Sequence, residues 1–596
     1  GSLLFKRPLT VRSTDTGLVA YRDNSSITVE GEAVLNGLDG VIAKNGGAVL
    51  FKGPLTITST ATGLTADEGR ITIDGAAVLT AADGAIAEYG GTLLFNGPLT
   101  VNSTVTGLMA DGSNIIVGRE AALNGADGAV AQNGGTITFN GPLTIRSSGT
   151  ALHAVDGGVI EATAEDAAKY IKGNIVADDG TISLDLNKVG SYLTGTTTVS
   201  DSAALSRSSY RNRAADGTDE STGTLDLNLG TGTVWNVTGD SSLTNLTNNG
   251  TVNMRDSSRT GQQLTVNTLS GTGTLAMDLD WLSNQGAKNA TANSDYVTVT
   301  DSATGTQNVV ADSSAMNLDK MGVNDRLYVA TLNNSDAVLT SSIQGRITHK
   351  GHLYEPVIGL THETTNDTTD WYFTAVDRVE SNVVPAADVQ NRALFDLATN
   401  MDTLNKRLGE ARYTDGEDSG MWARLTYRHL GRDSYDGHSN RFELGKDFVM
   451  ARNDGSVVHQ GAVFTYLRSS DSFADGNGKY KRYSGSIYHT WLGNNGQYVD
   501  VVGRIGKVMG NSHTFLINGT QSDSSFGTWY QQASVEWGRK KELRDSWYIE
   551  PQSQLQYTHI NGTNFRTSDG IHQDFDSVHS FIGRLGFRLG RDIDAN

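Results

Sequence analysis

Cysteine is absent from the 596 residues, which excludes a disulfide framework and any thiolate metal site. Proline is scarce, 7 residues against 69 glycines, so turns here are built on glycine and not on fixed proline corners. Basic residues are outnumbered, 47 against 66 acidic, and the net charge of −19 repels a phosphate backbone, so no nucleic acid is expected as a partner. No apolar run approaches the roughly 18 residues of a spanning helix, and any membrane contact must use another device. The opening Gly1-Ser2, with neither Met nor a leader, reads as the start of a fragment whose targeting segment lies upstream. The length exceeds one ordinary core, which points to several domains or to a repeat that grows along an axis.

The repeat is present. Phe51-Lys52-Gly53-Pro54-Leu55-Thr56, Phe95-Asn96-Gly97-Pro98-Leu99-Thr100 and Phe139-Asn140-Gly141-Pro142-Leu143-Thr144 follow a looser copy at Phe5 to Thr10. Asp39-Gly40, Asp83-Gly84 and Asp127-Gly128 keep the same beat, and Thr-Gly-Leu phrases at Gly63-Leu64 and Gly107-Leu108 halve it to about 22 residues. That length holds about three strands of 4–6 residues with their turns, and segments such as Ile115-Ile116-Val117 are short and β-branched. Stacked at about 4.8 Å, such coils bury inward ladders of Leu, Val and Ile, which predicts a right-handed parallel β-helix over 1–160. The three aspartates could form a carboxylate ladder, but each precedes glycine, which favours turns.

From 161 to 378 the repeat fades while short strands and Gly/Asn/Asp turns continue. Trp235-Asn236-Val237-Thr238-Gly239-Asp240-Ser241-Ser242-Leu243, then Asn249-Gly250-Thr251-Val252, then Leu269-Ser270-Gly271-Thr272-Gly273-Thr274-Leu275, then Ser294 to Val299, then Asp370-Trp371-Tyr372-Phe373 follow in order. This series resembles the pertactin-like passenger end of bacterial autotransporters, type V secretion proteins, and the resemblance implies a stable autochaperone region at the end of the β-helix.

Over 379–412 the character changes. Pro385 suits the first turn of a helix, and Val389, Ala393, Leu397, Met401, Leu404 and Leu408 follow at i+3 or i+4. About 28 residues at 1.5 Å span roughly 42 Å, more than a bilayer core, yet the polar residues forbid lipid exposure. Such a helix lies either between domains or inside a water-lined channel. The phrase Leu404-Asn405-Lys406-Arg407-Leu408-Gly409-Glu410-Ala411-Arg412 resembles the helix-to-barrel junction of autotransporter translocators. The resemblance makes Leu404, Lys406, Arg407, Leu408, Gly409 and Arg412 the pore-helix junction, with Lys406, Arg407 and Arg412 facing lumen acids. Some family members cut themselves between two Asn just before Leu-Asn-Lys-Arg. Those positions are Asp402 and Thr403 here, so a passenger that stays attached, or is released by another protease, is expected.

Across 413–596 aromatics concentrate, and strands of about ten residues alternate. Phe581, Gly583, Leu585, Phe587 and Leu589 share one face, Arg584 and Arg588 the other; Trp529, Ala533, Val535 and Trp537 oppose Tyr530, Gln532, Ser534 and Glu536; Val499, Val501 and Ile505 oppose Asp500 and Arg504. Apolar outside and charged inside is the pattern of a lipid-bathed antiparallel barrel, which puts Asp500, Arg504, Glu536, Arg584 and Arg588 in the lumen. Tyr548-Ile549-Glu550-Pro551-Gln552 and Ile582-Gly583-Arg584-Leu585-Gly586 resemble the autotransporter β-domain. About eight strands can be counted where the family has twelve, so the resemblance implies an incomplete barrel with its C-terminal strands missing.

Chemistry is sparse. Gly239-Asp240-Ser241-Ser242 resembles the nucleophile region of trypsin-like proteases but lacks the following glycine, and neither a zinc-protease motif, a Walker loop nor a calcium-binding nonapeptide array occurs. No cofactor, metal or catalytic residue is expected. The expected fold is all-β apart from the linker helix. The expected role is a surface-displayed adhesin or spacer in the outer membrane, not an enzyme, and its partners would be outer-membrane lipid, the barrel-assembly machinery and a surface glycan or protein. The alternative is a β-helix lyase or hydrolase, or the carrier of an upstream protease domain.

Overall fold

The computed structural model describes residues 1–200, 223–408, 420–432 and 434–592. They divide into two compact units, residues 1–345 with 357–377, and residues 346–356 with 378–596.

The first unit is a parallel β-solenoid. A representative coil carries the strands Thr92–Phe95, Leu99–Ser103 and Thr106–Asp111, and each pairs in parallel with its counterpart in the next coil. The registers Phe51↔Ile73, Ile73↔Phe95, Phe95↔Val117 and Val117↔Phe139 step by 22 residues, so half the 44-residue sequence repeat is one turn. These side chains point inward and are fully buried, each contributing about 1.5–3 kcal/mol. Along this column a rigid aromatic ring alternates with a β-branched residue from coil to coil.

The Asp-Gly phrases have a definite task. Oδ1 of Asp39, Asp83 and Asp127 accepts the backbone N–H of Thr62, Thr106 and Thr150, each in the following coil. The carboxylates therefore tie coil to coil at the corner where the ladder is interrupted. The adjoining glycine is required by close approach, because a Cβ on Gly84 would sit 2.4 Å from the carbonyl oxygen of Gly107.

Past residue 160 the same columns continue through Leu184, Leu227 and Leu246, and Trp235 fills the interior with Nε1 donating to the Gly195 carbonyl at 3.0 Å. Lys169 occupies an inward position beside Leu143. Its ammonium donates to the carbonyls of Ala164 and Ala167, and burial lowers its pKa. At the far end the parallel order stops where Asp370 to Phe373 run antiparallel to Leu327–Asn333. Asp370 accepts from Lys288 and from Thr331, and Tyr296 shares a 2.5 Å hydrogen bond with Thr331, so the reversal is fixed by a half-buried polar chain.

The second unit is an antiparallel sheet of eight long strands: β1 (Met421–Arg432), β2 (Tyr435–Ala451), β3 (Val457–Phe473), β4 (Gly476–Leu492), β5 (Gln497–Phe515), β6 (Gln521–Arg539), β7 (Trp547–Ile560) and β8 (Val578–Arg591). Each pairs with the next in chain order, and β1 and β8 form the two edges. Between β7 and β8 a small hairpin, Thr563–Arg566 with His572–Phe575, folds back over the sheet. The outward row is apolar: Trp537, Leu555, Leu585 (86 % exposed) and Phe587 stand free, as lipid contact demands.

The helix is shorter than its periodicity predicts. A 16-residue helix α1 (Val383–Ala398) is followed by an open stretch and then by α2 (Leu404–Leu408), in place of one rod from 385 to 412. Thr399, Asn400, Asp402 and Thr403 are weak helix formers whose side chains compete for backbone groups, and Thr399 Oγ1 donates to the Phe395 carbonyl at 2.8 Å. Gly409 and Arg412 lie outside the described residues.

Candidate functional site

On the inward face of the sheet, together with α1 and α2, charge, burial and helix geometry converge. Pairing strands with period-two alternation sends every second residue inward, and the inward residues fall into two zones. Beside α1 they are apolar or aromatic: Leu467, Tyr480, Val508, Phe526 and Tyr530 pack on Ala393, Leu394 and Leu397, with Phe575 of the hairpin completing the collar. One amide penetrates this collar. Gln390 donates to Ser512 Oγ at 2.5 Å and accepts from Ser524 Oγ at 3.1 Å. The lumen is therefore not uniformly wet, because an amphipathic helix needs an apolar partner for its buried stripe.

Below the collar lies a charged girdle that captures the helix break. Arg482 Nη1 donates to the Leu397 carbonyl at 2.5 Å, Gln532 to Ala398 at 3.3 Å, Gln556 to Thr399 at 2.8 Å and Gln554 to Asp402 at 2.8 Å. The first three are carbonyls that the end of α1 leaves without intrahelical partners, and the fourth lies in the open stretch before α2; strand side chains satisfy all four. On the other side of the break Glu536 accepts the Leu404 N–H at 2.9 Å, and the same carboxylate takes Tyr498 Oη at 2.9 Å and Arg584 Nη2 at 3.1 Å. Asp402 pairs with Arg424 at 2.6 Å, and Arg424 also holds Glu443.

Each residue singled out from the sequence, Gly409 and Arg412 apart, has a definite place. Leu404 is buried beside Tyr498. Arg407 reaches Asp500, which also accepts from Thr490 at 2.6 Å, and its guanidinium lies 4.3 Å from the ring centroid of Tyr488. Lys406 departs from its expected role. Its side chain is exposed, and its carbonyl, not its ammonium, meets the barrel by accepting from Arg424. Consecutive residues on a helix point about 100° apart, so seating Arg407 on Asp500 turns Lys406 away. Leu408 ends α2. Arg504 bridges Ser486 (2.9 Å) and Gln532 (3.1 Å), Arg584 reaches Glu536, and Arg588 lies 5.7 Å from the Tyr548 ring.

Sequence reasoning passed over Arg424, Glu443, Arg482, Gln554 and Gln556. The available signal was their inward parity: Gln554 and Gln556 share a strand face, as do Arg482, Ser484 and Ser486. Ser241 donates to the Gly239 carbonyl at 3.0 Å and caps the Thr197 N–H at 3.2 Å, so its hydroxyl is engaged with backbone. Among the described residues no group of three His, Asp or Glu is placed to hold a metal ion.

A family model described as Autotransporter beta-domain matches residues 420–596. The chain is 30 % identical over 249 residues to the Serine protease EspC of Escherichia coli O127:H6, covering 40 % of this chain and 18 % of that protein. It is 29 % identical over 199 residues to the Pertactin autotransporter of Bordetella bronchiseptica, covering 32 % of this chain and 22 % of that protein. The crystal structure of the beta domain of the Bordetella autotransporter BrkA aligns at 27 % identity and a TM-score of 0.28, over 29 % of this chain and 72 % of that one. The chain thus spans about a fifth of the length of these two curated relatives.

Proposed function

We propose, from the premise that this chain is an autotransporter whose β-domain resides in the outer membrane and whose β-helical passenger stands at the cell surface, that the passenger is a tethered adhesin or surface spacer. The observation that carries the tether is the girdle. Four barrel side chains hold the carbonyls of the helix break, and Arg407 is buried on Asp500 with Tyr488 beneath it. A buried pair with both partners hydrogen-bonded is costly to open, so the helix resists withdrawal once seated. Asp402 and Thr403 stand where self-cutting relatives carry two Asn, and the Asp402 carboxylate is paired with Arg424, which leaves the junction intact.

Export follows from the other unit. A coil that stacks outside the cell buries Leu, Val and Ile and cannot slide back through a narrow pore, so folding of 230–378 biases movement outward. The barrel-assembly machinery inserts the β-domain, and lipid bathes its apolar exterior.

Protease added to intact cells should shed 1–378 and spare the C-terminal part. Whole-chain retention inside the envelope sinks this reading. A native C-terminal fragment beginning at Thr403 removes the tether. A second reading, an enzymatic cargo, is favoured by the names of several relatives, EspC, SepA, EatA and EspP, each called a serine protease. Proteolysis by the full-length protein that survives loss of passenger–glycan binding would promote it.

A further inference from the structure

One outward column of the solenoid breaks its own rule. On the sheet that carries Leu99–Ser103, one position per coil forms a continuous register that starts at Arg12 in the first coil and runs through Asn36, Thr58, Thr80, Asn102, Asn124, Arg146, Lys172, Thr194, Asn236 and Asn253. Amides and hydroxyls suit this position because they hydrogen-bond along the axis. Asn124 donates to Asn102 at 3.1 Å, Asn236 to Thr194 at 3.3 Å, and Asn253 to Asn236 at 3.0 Å. The run is interrupted at two consecutive coils by Arg146 and Lys172, both exposed and directly paired in register. Like charges stacked about 4.8 Å apart destabilise a ladder. Among the described residues neither cation forms an ion pair, in a chain whose net charge is −19.

The neighbouring outward column changes one coil later. Thr100, Ala122 and Thr144 give way to Tyr170 and Tyr192, whose rings stand 5.4 Å apart at 45°. Tyr170 is 38 % exposed and lies two residues before Lys172 on the same strand face. Two cations and two aromatic faces thus form adjoining columns offset by one coil, Tyr170 beside Lys172 and Tyr192 beside Thr194, with Arg146 one coil before them.

We propose that this strip binds an acidic glycan. The anionic groups pair with Arg146 and Lys172, and the sugar rings lie on Tyr170 and Tyr192 along the stack axis, where one coil spacing is comparable to the length of a pyranose unit. The charge complementarity fixes the sign of the occupant. Tyrosine faces beside hydroxyl and amide donors favour a carbohydrate over an acidic protein, which would need a broader apolar patch. This deepens the adhesin reading and rests on it.

The full chain in detergent is tested against immobilised heparin, a sulfated glycan, and polygalacturonate, a carboxylated one, with dextran as the neutral control. Wild type should hold at least one acidic glycan, release it as salt rises, and ignore dextran. R146N/K172N restores the amide ladder, so its thermal midpoint should equal or exceed wild type while affinity falls about tenfold or more. Y170T/Y192T, which keeps both charges, should weaken binding as well. R70N/R119N, which removes equal charge from exposed positions elsewhere, should change it little. The proposal is overturned if wild type holds neither acidic glycan, if R146N/K172N binds like wild type, or if R70N/R119N loses as much. Adherence of whole cells is scored in parallel. Adherence that survives R146N/K172N removes the strip and leaves the adhesin reading; non-adherent wild-type cells with glycan binding intact remove the adhesin reading alone.

Discussion

The solenoid and the β-domain are both written in strands of alternating parity, and they wear that alternation inside out. In the solenoid Phe95 is fully buried and Asn96 and Asn102 face outward; in the β-domain the apolar Leu585 faces outward and Arg584 turns inward to Glu536. Parity alone fixes which residues share a face. The medium on each side fixes which face is greasy. The two units also differ in how they house a buried acid. In the β-domain Asp500 and Glu536 are given arginines. At the end of the solenoid Asp295 is fully buried with no cation beside it, accepting instead the N–H groups of Gln262 at 2.8 Å and Asp278 at 2.7 Å.

That contrast sets the largest expected effect. Burial, against the two N–H bonds that favour the charge, pushes the Asp295 carboxyl up to about 8, with the carboxylates of Asp278 and Asp256 adding to the rise. A folded-state pKa above the unfolded one gives stability that is fully present below pH about 4 and is lost as pH climbs to about 8, of order 5 kcal/mol in all. The thermal midpoint of the passenger, followed from pH 4 to 9, should fall over that window and then level off. Asp295→Ala should be weaker at pH 5 and nearly flat with pH. A midpoint that rises with pH contradicts a protonated Asp295.

Removing a cation from the β-domain tests the opposite solution. Arg407→Leu leaves Asp500 buried beside Thr490 without a counter-charge, at a cost of about 3–5 kcal/mol. The urea midpoint of the heat-modifiable band should drop accordingly, and R407L/D500L should recover most of it. In the solenoid the equivalent test is apolar. Phe95→Ala opens a cavity between Ile73 and Val117 and should cost about 3–5 kcal/mol in passenger unfolding. The inversion itself is tested at Leu585, where arginine on the lipid face should cost about 2–4 kcal/mol near the bilayer midplane. If Leu585→Arg is neutral while Phe95→Ala is not, the exterior of β8 is not in lipid.

The same contrast governs how much of the molecule is legible in its sequence. The 22-residue coil is legible because each turn repeats the same phrase. The eight long strands are legible because strict alternation over ten or more residues marks a strand whose two faces meet different media. Asp500 and Arg504 are legible by parity alone. The break after Ala398 is only half legible, because the apolar spacing runs on through Met401 and Leu404; Thr399 and Asn400 weaken the helix locally, and the groups that complete the break lie far away in sequence. Arg482, Gln532 and Gln556 supply the hydrogen bonds that the end of α1 would otherwise find in its own next turn. The aromatic collar is hidden for the same reason: Tyr480 and Phe526 carry inward parity like Arg482, and nothing in their own strands says which level of the lumen meets α1.

The smallest expected effect bears on the polar exterior of the solenoid. Asn102 accepts from Asn124 at 3.1 Å on an exposed ladder, where water competes for both amides. A lone hydrogen bond in that setting contributes about 0.5 kcal/mol or less, so Asn102→Ala should move the passenger midpoint by no more than about 2 °C. A larger drop would mean that the amides act cooperatively along the column. The cooperative case would raise the cost of breaking the column at Arg146 and Lys172, and R146N/K172N would then stabilise the stack by more than the relief of one like-charge contact. Measuring the two variants side by side therefore separates a ladder of independent bonds from a ladder that polarises along its length.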